Sequence, residues 1–373
     1  MNKNFLKPIF GIFISIWTLH SLTAQSMTND SLFIVKGFSV AAPKPKELDR
    51  FIKFVHDELA PRKVTHLLLR VDYNYQYKSH PELSDSIALS FSDVKALVNE
   101  CNADHIQIIP QINLLGHQSW ASHTTALLTK YPQFDETPQV QMPEKYKWPN
   151  ADGLYCKSYC PLHPEVHSIV FDVIDEVCDA FEAKAFHAGM DEVFYIGEDK
   201  CPRCGGKDKA ELFAGEVRTI WDHLQLKKRE LWIWGDRLID GKSTGMGMWE
   251  ASMNNTYRAI DMIPKDVVIC DWHYERPDQS AVYFAMKGFR IITCPWNKPS
   301  VGIAQVEDMA RWRKNATKVM KPNYYGIMQT VWSGSTPFLD NLYGINTIPA
   351  DKGNPPATFK AIFDRMKELE IVN

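Results

Sequence analysis

The sequence has no excess of charge of either sign. Its 42 Lys and Arg against 45 Asp and Glu leave a net charge of -3, which gives no footing for a nucleic-acid or anionic-membrane partner. It has no linker, no low-complexity tract and no internal repeat, so one domain is expected from its 373 residues. Long apolar runs are also missing. The single candidate, "PIFGIFISIW" near the N-terminus, is too short for a comfortable membrane span. It follows Lys3 and Lys7 and precedes the small residue Ala24 in "LTAQS". That order predicts a secretory signal peptide over residues 1–24, and hence a mature protein in the periplasm or outside the cell, free of the membrane. An uncleaved anchor is the alternative. With no Cys beside the cleavage point, a lipoprotein is not expected.

What is present is a core and many aromatic rings. Hydrophobic residues make up 45% of the chain, and there are 11 Trp, 14 Tyr and 19 Phe. Aromatic faces fill cores, and they also stack on the C–H faces of sugars. From residue 31 onward short apolar runs alternate with amphipathic stretches. Strands are predicted at 32–40, 65–73, 105–114, 184–191, 230–238, 266–274, 289–296 and 325–332. They are nearly continuously apolar, as strands buried on both faces are. The segment 164–181 reads as a helix, with Val166, Ile169, Val170, Val173, Ile174, Val177 and Phe181 on one stripe. About eight such alternations predict a single-domain α/β fold, a (β/α)8 TIM barrel. An open doubly wound sheet is the alternative. "GMGMWEAS" (245–252) reads either as a ninth strand or as a loop.

Polar and aromatic residues gather at the carboxyl ends of these strands: Asp72, Asn113, Asp191, Asp236, His273, Tyr274, Trp296 and Trp332. In barrels that end carries the active site. The densest stretch is "AFHAGMDEVF". Side chains alternate along a strand, so His187, Gly189 and Asp191 are expected to face the barrel interior, and Ala188 and Met190 the helices. Glu192 breaks the alternation and must sit where strand becomes loop. Two adjacent carboxylates cannot both ionise cheaply, so one is expected to titrate high, as a general acid requires.

"FHAGMDEVF" resembles the His-x-Gly-Gly-Asp-Glu signature of glycoside hydrolase family 20, the β-N-acetylhexosaminidases. "HLLLRVDY", ending near Asp72, "IIPQINLLGH" with His117, "CPLHPEVHSIVFDVIDEV" and "TVW" with Trp332 resemble other family segments in the same order. The resemblance spans most of residues 33–335 and implies a compact, barrel-only member acting on a glycan without a cofactor. It implies that Glu192 is the general acid and then base, and that Asp191 holds the N–H of the substrate's 2-acetamido group, whose oxygen is the nucleophile. It further implies that His187 positions the pair and that Asp72 and His117 form a relay tuning Glu192. Trp234, Trp272, Trp296 and Trp332 are candidate pocket walls, with Trp249 in the ambiguous segment, and Tyr274 is the candidate phenol for the acetamido oxygen.

The departures concern the sugar's other hydroxyls. The family's first-strand Arg has only Lys36 in its place, which lacks bidentate geometry. Gln111 and Asn113 replace a Glu and an Asp, Met190 replaces the second Gly, and Gly334 stands where a Glu often follows. Two rival readings follow: a two-carboxylate retaining glycosidase with Asp236 or Glu275 as nucleophile, and a non-catalytic sugar-binding barrel. The close cysteine pairs Cys156/Cys160 and Cys201/Cys204 flank the acidic pair. They are expected to staple its loops, as a zinc site or as disulfides; nothing marks a catalytic thiol.

Overall fold

The computed structural model describes residues 33–147, 156–348 and 353–372; the segment on which the export expectation rests lies outside them. Eight parallel strands close into a barrel in chain order. They are β1 (Val35–Ala41), β2 (His66–Arg70), β3 (Gln107–Leu114), β4 (Ala185–Gly189), β5 (Glu230–Trp234), β6 (Val268–Trp272), β7 (Arg290–Cys294) and β8 (Tyr324–Val331). All eight lie within one residue of the predicted segments, and β1 pairs with β8 to close the ring, Val35 opposite Gly326 and Val40 opposite Val331. An open sheet is thereby excluded.

The outer layer is helical: α1 (Leu48–Phe54), α2 (Phe91–Ala103), α3 (Val166–Ala180), α4 (Lys209–Gln225), α5 (Ser280–Met286), α6 (Pro299–Asn315), α7 (Ser335–Leu342) and α8 (Pro355–Glu368). Local sequence explains several of their starts. Ser90 and Asp93 form a reciprocal capping box at α2, and Asp208 accepts from the Ala210 and Glu211 N–H groups at α4. On α3 the predicted stripe is the buried one, except that Ile169 is only partly covered. Among the described residues no helix is long and apolar enough to cross a membrane.

Two apolar cores result from the strand alternation. One lies between barrel and helices and includes Phe38, Leu67, Phe186, Ala188 and Met190. The other fills the barrel with Val35, Leu68, Ile109, Ala185, Trp232, Trp234, Val268, Cys270, Ile292 and Met328. Leu68 pairs with Ile109 in one interior layer, and one layer higher Arg70, Gln111 and His187 lie side by side across β2, β3 and β4. The interior therefore changes from apolar to polar toward the carboxyl ends, which places the site.

The ambiguous segment 245–252 is not a ninth strand. It holds a single helical turn, Gly247–Glu250, fastened by the buried Arg237, whose Nη2 donates to the carbonyls of Met248, Trp249 and Ala251.

Candidate active site

A pocket of about 590 Å³ opens at the carboxyl ends of the strands. It is lined by Arg70, Asp72, Asn113, His117, Asp191, Glu192, Trp272, Tyr274 and Trp332, together with Ser119, Trp120 and Thr125. Its size falls within the range of small-molecule sites.

The acidic pair sits on a sharp turn. Strand β4 ends at Gly189 (φ +68°), and Met190 (φ +66°) and Glu192 (φ +49°) are also left-handed. A Cβ at Gly189 would meet Asn113 Oδ1 at 2.6 Å, and one at Gly116 would meet the Asp191 carbonyl at 2.7 Å. Glycine at these points lets the β3 loop close on the pair. The alternation places Met190 outward, fully buried in the barrel–helix core, so it does not reshape the pocket. The Glu192 N–H donates to Asp236 Oδ2 (2.9 Å), which also accepts from Arg237 Nε (2.6 Å).

His117 joins the two acids. Its Nε2 lies 3.1 Å from Asp191 Oδ2 and 3.3 Å from Glu192 Oε2. Its Nδ1 faces the Cys156 sulfur at 3.7 Å, and the Cys156 thiol donates to Glu192 Oε2 at 3.2 Å. Burial alone would lower the His117 imidazole, but the Asp191 charge outweighs it and holds the ring protonated well above the usual histidine range. Burial likewise pushes Asp191 up, yet the His117 charge and hydrogen bond bring it below the ordinary carboxylate range. Glu192 moves the other way. Burial raises it, and the Asp191 charge adds to the rise against the opposing pull of His117. The two adjacent acids are thus pushed in opposite directions, Asp191 down and Glu192 up.

Several expectations are corrected. The relay from Asp72 through His117 is not formed. Asp72 Oδ1 accepts from Asn113 N (2.8 Å) and Nδ2 (3.1 Å), and Asn113 Oδ1 accepts from Gln111 Nε2 (2.9 Å). The amides that replace the family's acids thus build a donor chain to Asp72. Lys36 is not in the pocket. It lies near the amino end of β1, on the face turned to the helices, where its backbone pairs with Thr65. The cation at the site is Arg70, inward on β2, stacked 4.5 Å over the Trp332 ring, with Nη2 donating to the Val331 carbonyl and Nε buried without a partner. The alternation Leu68, Arg70, Asp72 in "HLLLRVDY" carried that signal and was missed.

Two of the four candidate tryptophans are not walls. Trp234 is buried in the barrel, between His187 (4.5 Å) and Trp332 (5.8 Å). Trp296 stands edge-on behind Tyr274 at 5.4 Å. Trp272 and Trp332 do line the pocket, as does Tyr274, which stacks on Trp272 at 5.1 Å and accepts from Trp332 Nε1 at 2.8 Å. Trp249 packs on Phe194 at 5.1 Å, outside it. His187 lies beneath the pair, its Nδ1 accepting from the Gly189 N–H; burial lowers its pKa to about 3, so it is neutral. Trp120, 58% exposed in the pocket lining, was not foreseen, since a lone Trp in a loop carries no sequence signal. The four cysteines do not form one staple. Cys156 lies buried against His117 and Glu192, while Cys160, Cys201 and Cys204 gather elsewhere with Glu136. Among the described residues, His117, Cys156 and Glu192 also come close enough to share a metal ion.

The rival nucleophiles do not reach the site. Asp236 is consumed by Arg237 and the Glu192 N–H, and Glu275 is exposed and paired with Lys298. Neither lines the pocket.

Comparison with known proteins places the domain in a family. Residues 65–339 match "Glycosyl hydrolase family 20, catalytic domain". A beta-hexosaminidase of Akkermansia muciniphila is 33% identical over 112 residues, 30% of this chain and 21% of that protein. Hexosaminidase D of Bos taurus is 23% identical over 182 residues, 47% of each chain. The X-ray structure of Flavobacterium johnsoniae chitobiase superposes with a TM-score of 0.63 at 17% identity, covering 91% of this chain and 52% of that one, a likeness of fold. The chain spans about half of these relatives' length or less. With about three quarters of its residues inside the matched domain, the chain belongs to glycosyl hydrolase family 20.

Proposed function

We propose that the protein is an exported, exo-acting β-N-acetylhexosaminidase that removes terminal β-linked N-acetylhexosamine by substrate-assisted, retaining catalysis. The observation that carries this reading is the state of Asp191. Its Oδ2 is held by His117, its Oδ1 is buried without a hydrogen-bond partner, and the residue lines the pocket beside Glu192, whose carboxyl is pushed above its ordinary range. A buried, ionised oxygen with no donor costs free energy until a ligand N–H fills the vacancy. A 2-acetamido group supplies that N–H.

In this reading the acetamido carbonyl oxygen attacks the anomeric carbon as the bond to the leaving oxygen breaks, and Glu192 gives its proton to that oxygen. Asp191 holds the N–H and offsets the positive charge of the oxazolinium so formed. Water then adds to the anomeric carbon as its bond to the acetamido oxygen breaks, the water's proton passes to Glu192, and two inversions give retention. Tyr274 donates to the acetamido oxygen, its phenol accepting from Trp332 Nε1, hydrogen-bonded also to the Thr330 side chain, and kept protonated by burial. Trp272 and Trp332 enclose the methyl, and the Arg70 N–H groups take sugar hydroxyls. Beneath the pocket the barrel is filled by buried side chains, His187 and Trp234 among them, which supports an exo mode in which one chain end enters a blind pocket.

The test is a panel of aryl β-glycosides with and without the 2-acetamido group. Turnover confined to acetamido sugars, with inhibition by a thiazoline mimic of the oxazolinium, is expected. Trapping by a fluorosugar instead would restore a two-carboxylate mechanism, and an inert protein would favour the binding-only barrel. Asp191→Asn is expected to lower kcat by about 100-fold, the size of one lost electrostatic stabiliser. An unchanged kcat removes Asp191 from the mechanism. Export is checked by the N-terminus of the mature protein, expected at Gln25.

A further inference from the structure

Outside the pocket, three cysteines and one buried acid converge from two loops. Glu136 and Cys160 lie in the connection between β3 and α3, and Cys201 and Cys204 in that between β4 and α4. Their donor atoms all lie within 4.8 Å of one another, and all four residues are buried. Cys201 Sγ is 3.5 Å from Cys160 Sγ. A disulfide needs about 2.0 Å, whereas two sulfurs on a tetrahedral zinc, each at about 2.3 Å, stand about 3.8 Å apart. Cys204 Sγ meets both Glu136 oxygens, at 2.8 and 2.9 Å, which completes a compact four-donor set.

The surroundings suit thiolates. The N–H groups of Arg203 and Cys204 point to the Cys201 sulfur, and that of Leu162 to the Cys160 sulfur. The "CPRCGG" turn is closed by the Gly205 N–H donating to the Cys201 carbonyl at 3.0 Å, and Gly205 is required there because a Cβ would meet that oxygen at 2.6 Å. Such N–H donors offset the residual negative charge of a thiolate-rich metal set. Glu136 is fully buried, accepts from the Glu198 N–H at 3.0 Å, and meets the Cys204 thiol. Among the described residues no Lys, Arg or His pairs with it, so no cation of the protein's own compensates its burial.

We propose that Glu136, Cys160, Cys201 and Cys204 bind one zinc-class divalent ion in a closed structural site. Binding releases the thiol protons to solvent, and the four protein ligands leave no open position for substrate. The ion fastens the loop that carries His117 to the loop that carries Asp191 and Glu192. It does not depend on the hexosaminidase reading, because the readout is metal content, not turnover.

The experiment uses the full mature chain, purified without chelator, with metal measured by mass spectrometry and thiols counted after unfolding. About one zinc per chain is expected of the wild type, with all eight of its cysteines reduced; the zinc is kept by Cys156→Ser and lost in Cys204→Ser. Should Cys204→Ser fail to fold, Glu136→Gln is expected to fold and weaken zinc retention at least tenfold in a chelator competition. A chelator is expected to lower Tm and added zinc to restore it. A chain that takes up no zinc, or one with a mapped Cys160–Cys201 disulfide, overturns the proposal.

Discussion

At the scale of the residue, the puzzle is how two neighbouring carboxylates coexist. His117 resolves it. One protonated nitrogen within 3.1 and 3.3 Å of the two acids draws Asp191 below the usual carboxylate range, while burial pushes Glu192 above it. The consequence is a pH profile. In the proposed mechanism Glu192 must be protonated, and its pKa is raised, so activity is expected to be lost on the alkaline side only above the usual carboxylate range. The same mechanism needs Asp191 ionised, and its pKa is lowered, so the acid limb is expected below that range. The Cys156 thiol donates to Glu192 and favours its charged form. Cys156→Ala removes that donor, so the alkaline limb of kcat/KM is expected to move to higher pH, while Cys156→Ser stays near the wild type. A limb that does not move removes Cys156 from the tuning of Glu192. The Asp-Glu doublet and His117 were legible in the sequence; the role of Cys156 was not, since 36 residues separate it from Glu192.

At the scale of the element, the turn after β4 is where sequence and geometry conflict. Met190 occupies a left-handed conformation that glycine adopts freely, yet its side chain is fully buried between barrel and helices. The backbone penalty is about 1–2 kcal/mol, and removing a buried Met side chain costs about 2–5 kcal/mol. Packing therefore wins, and Met190→Gly is expected to destabilise the fold by about 1–3 kcal/mol, read as a lower denaturant midpoint. A midpoint equal to or above the wild type would show that the strain dominates. The outward placement of Met190 followed from strand alternation alone. The loop 245–252 did not, because its conformation is set by Arg237, whose contacts lie eleven to fourteen residues away.

At the scale of the whole molecule, the barrel decides which cation serves the pocket. Lys36 and Arg70 sit on adjacent strands, but Lys36 is near the amino end of β1 and Arg70 ends β2, opposite Ala41. Arg70→Ala is expected to lower kcat/KM for an acetamido glycoside about 10- to 100-fold, the worth of hydrogen bonds to a charged group. Lys36→Met is expected to leave kcat/KM unchanged. Equal losses in the two variants would place Lys36 back at the substrate. The same closure explains why the donor chain Gln111–Asn113–Asp72 forms: register across β2 and β3 sets these side chains at successive levels of one interior.

The sequence by itself determined the eight strands, the barrel, the end that carries the site and the acidic pair, because these depend on local periodicity and on which residues terminate apolar runs. Tertiary structure alone decided that Arg70 and not Lys36 faces the pocket, that Trp234 and Trp296 support walls rather than form them, and that the cysteines divide between Glu192 and Glu136. Those outcomes depend on strand level, ring packing and contacts between distant loops, where residues meet by closure of the barrel and not by spacing along the chain.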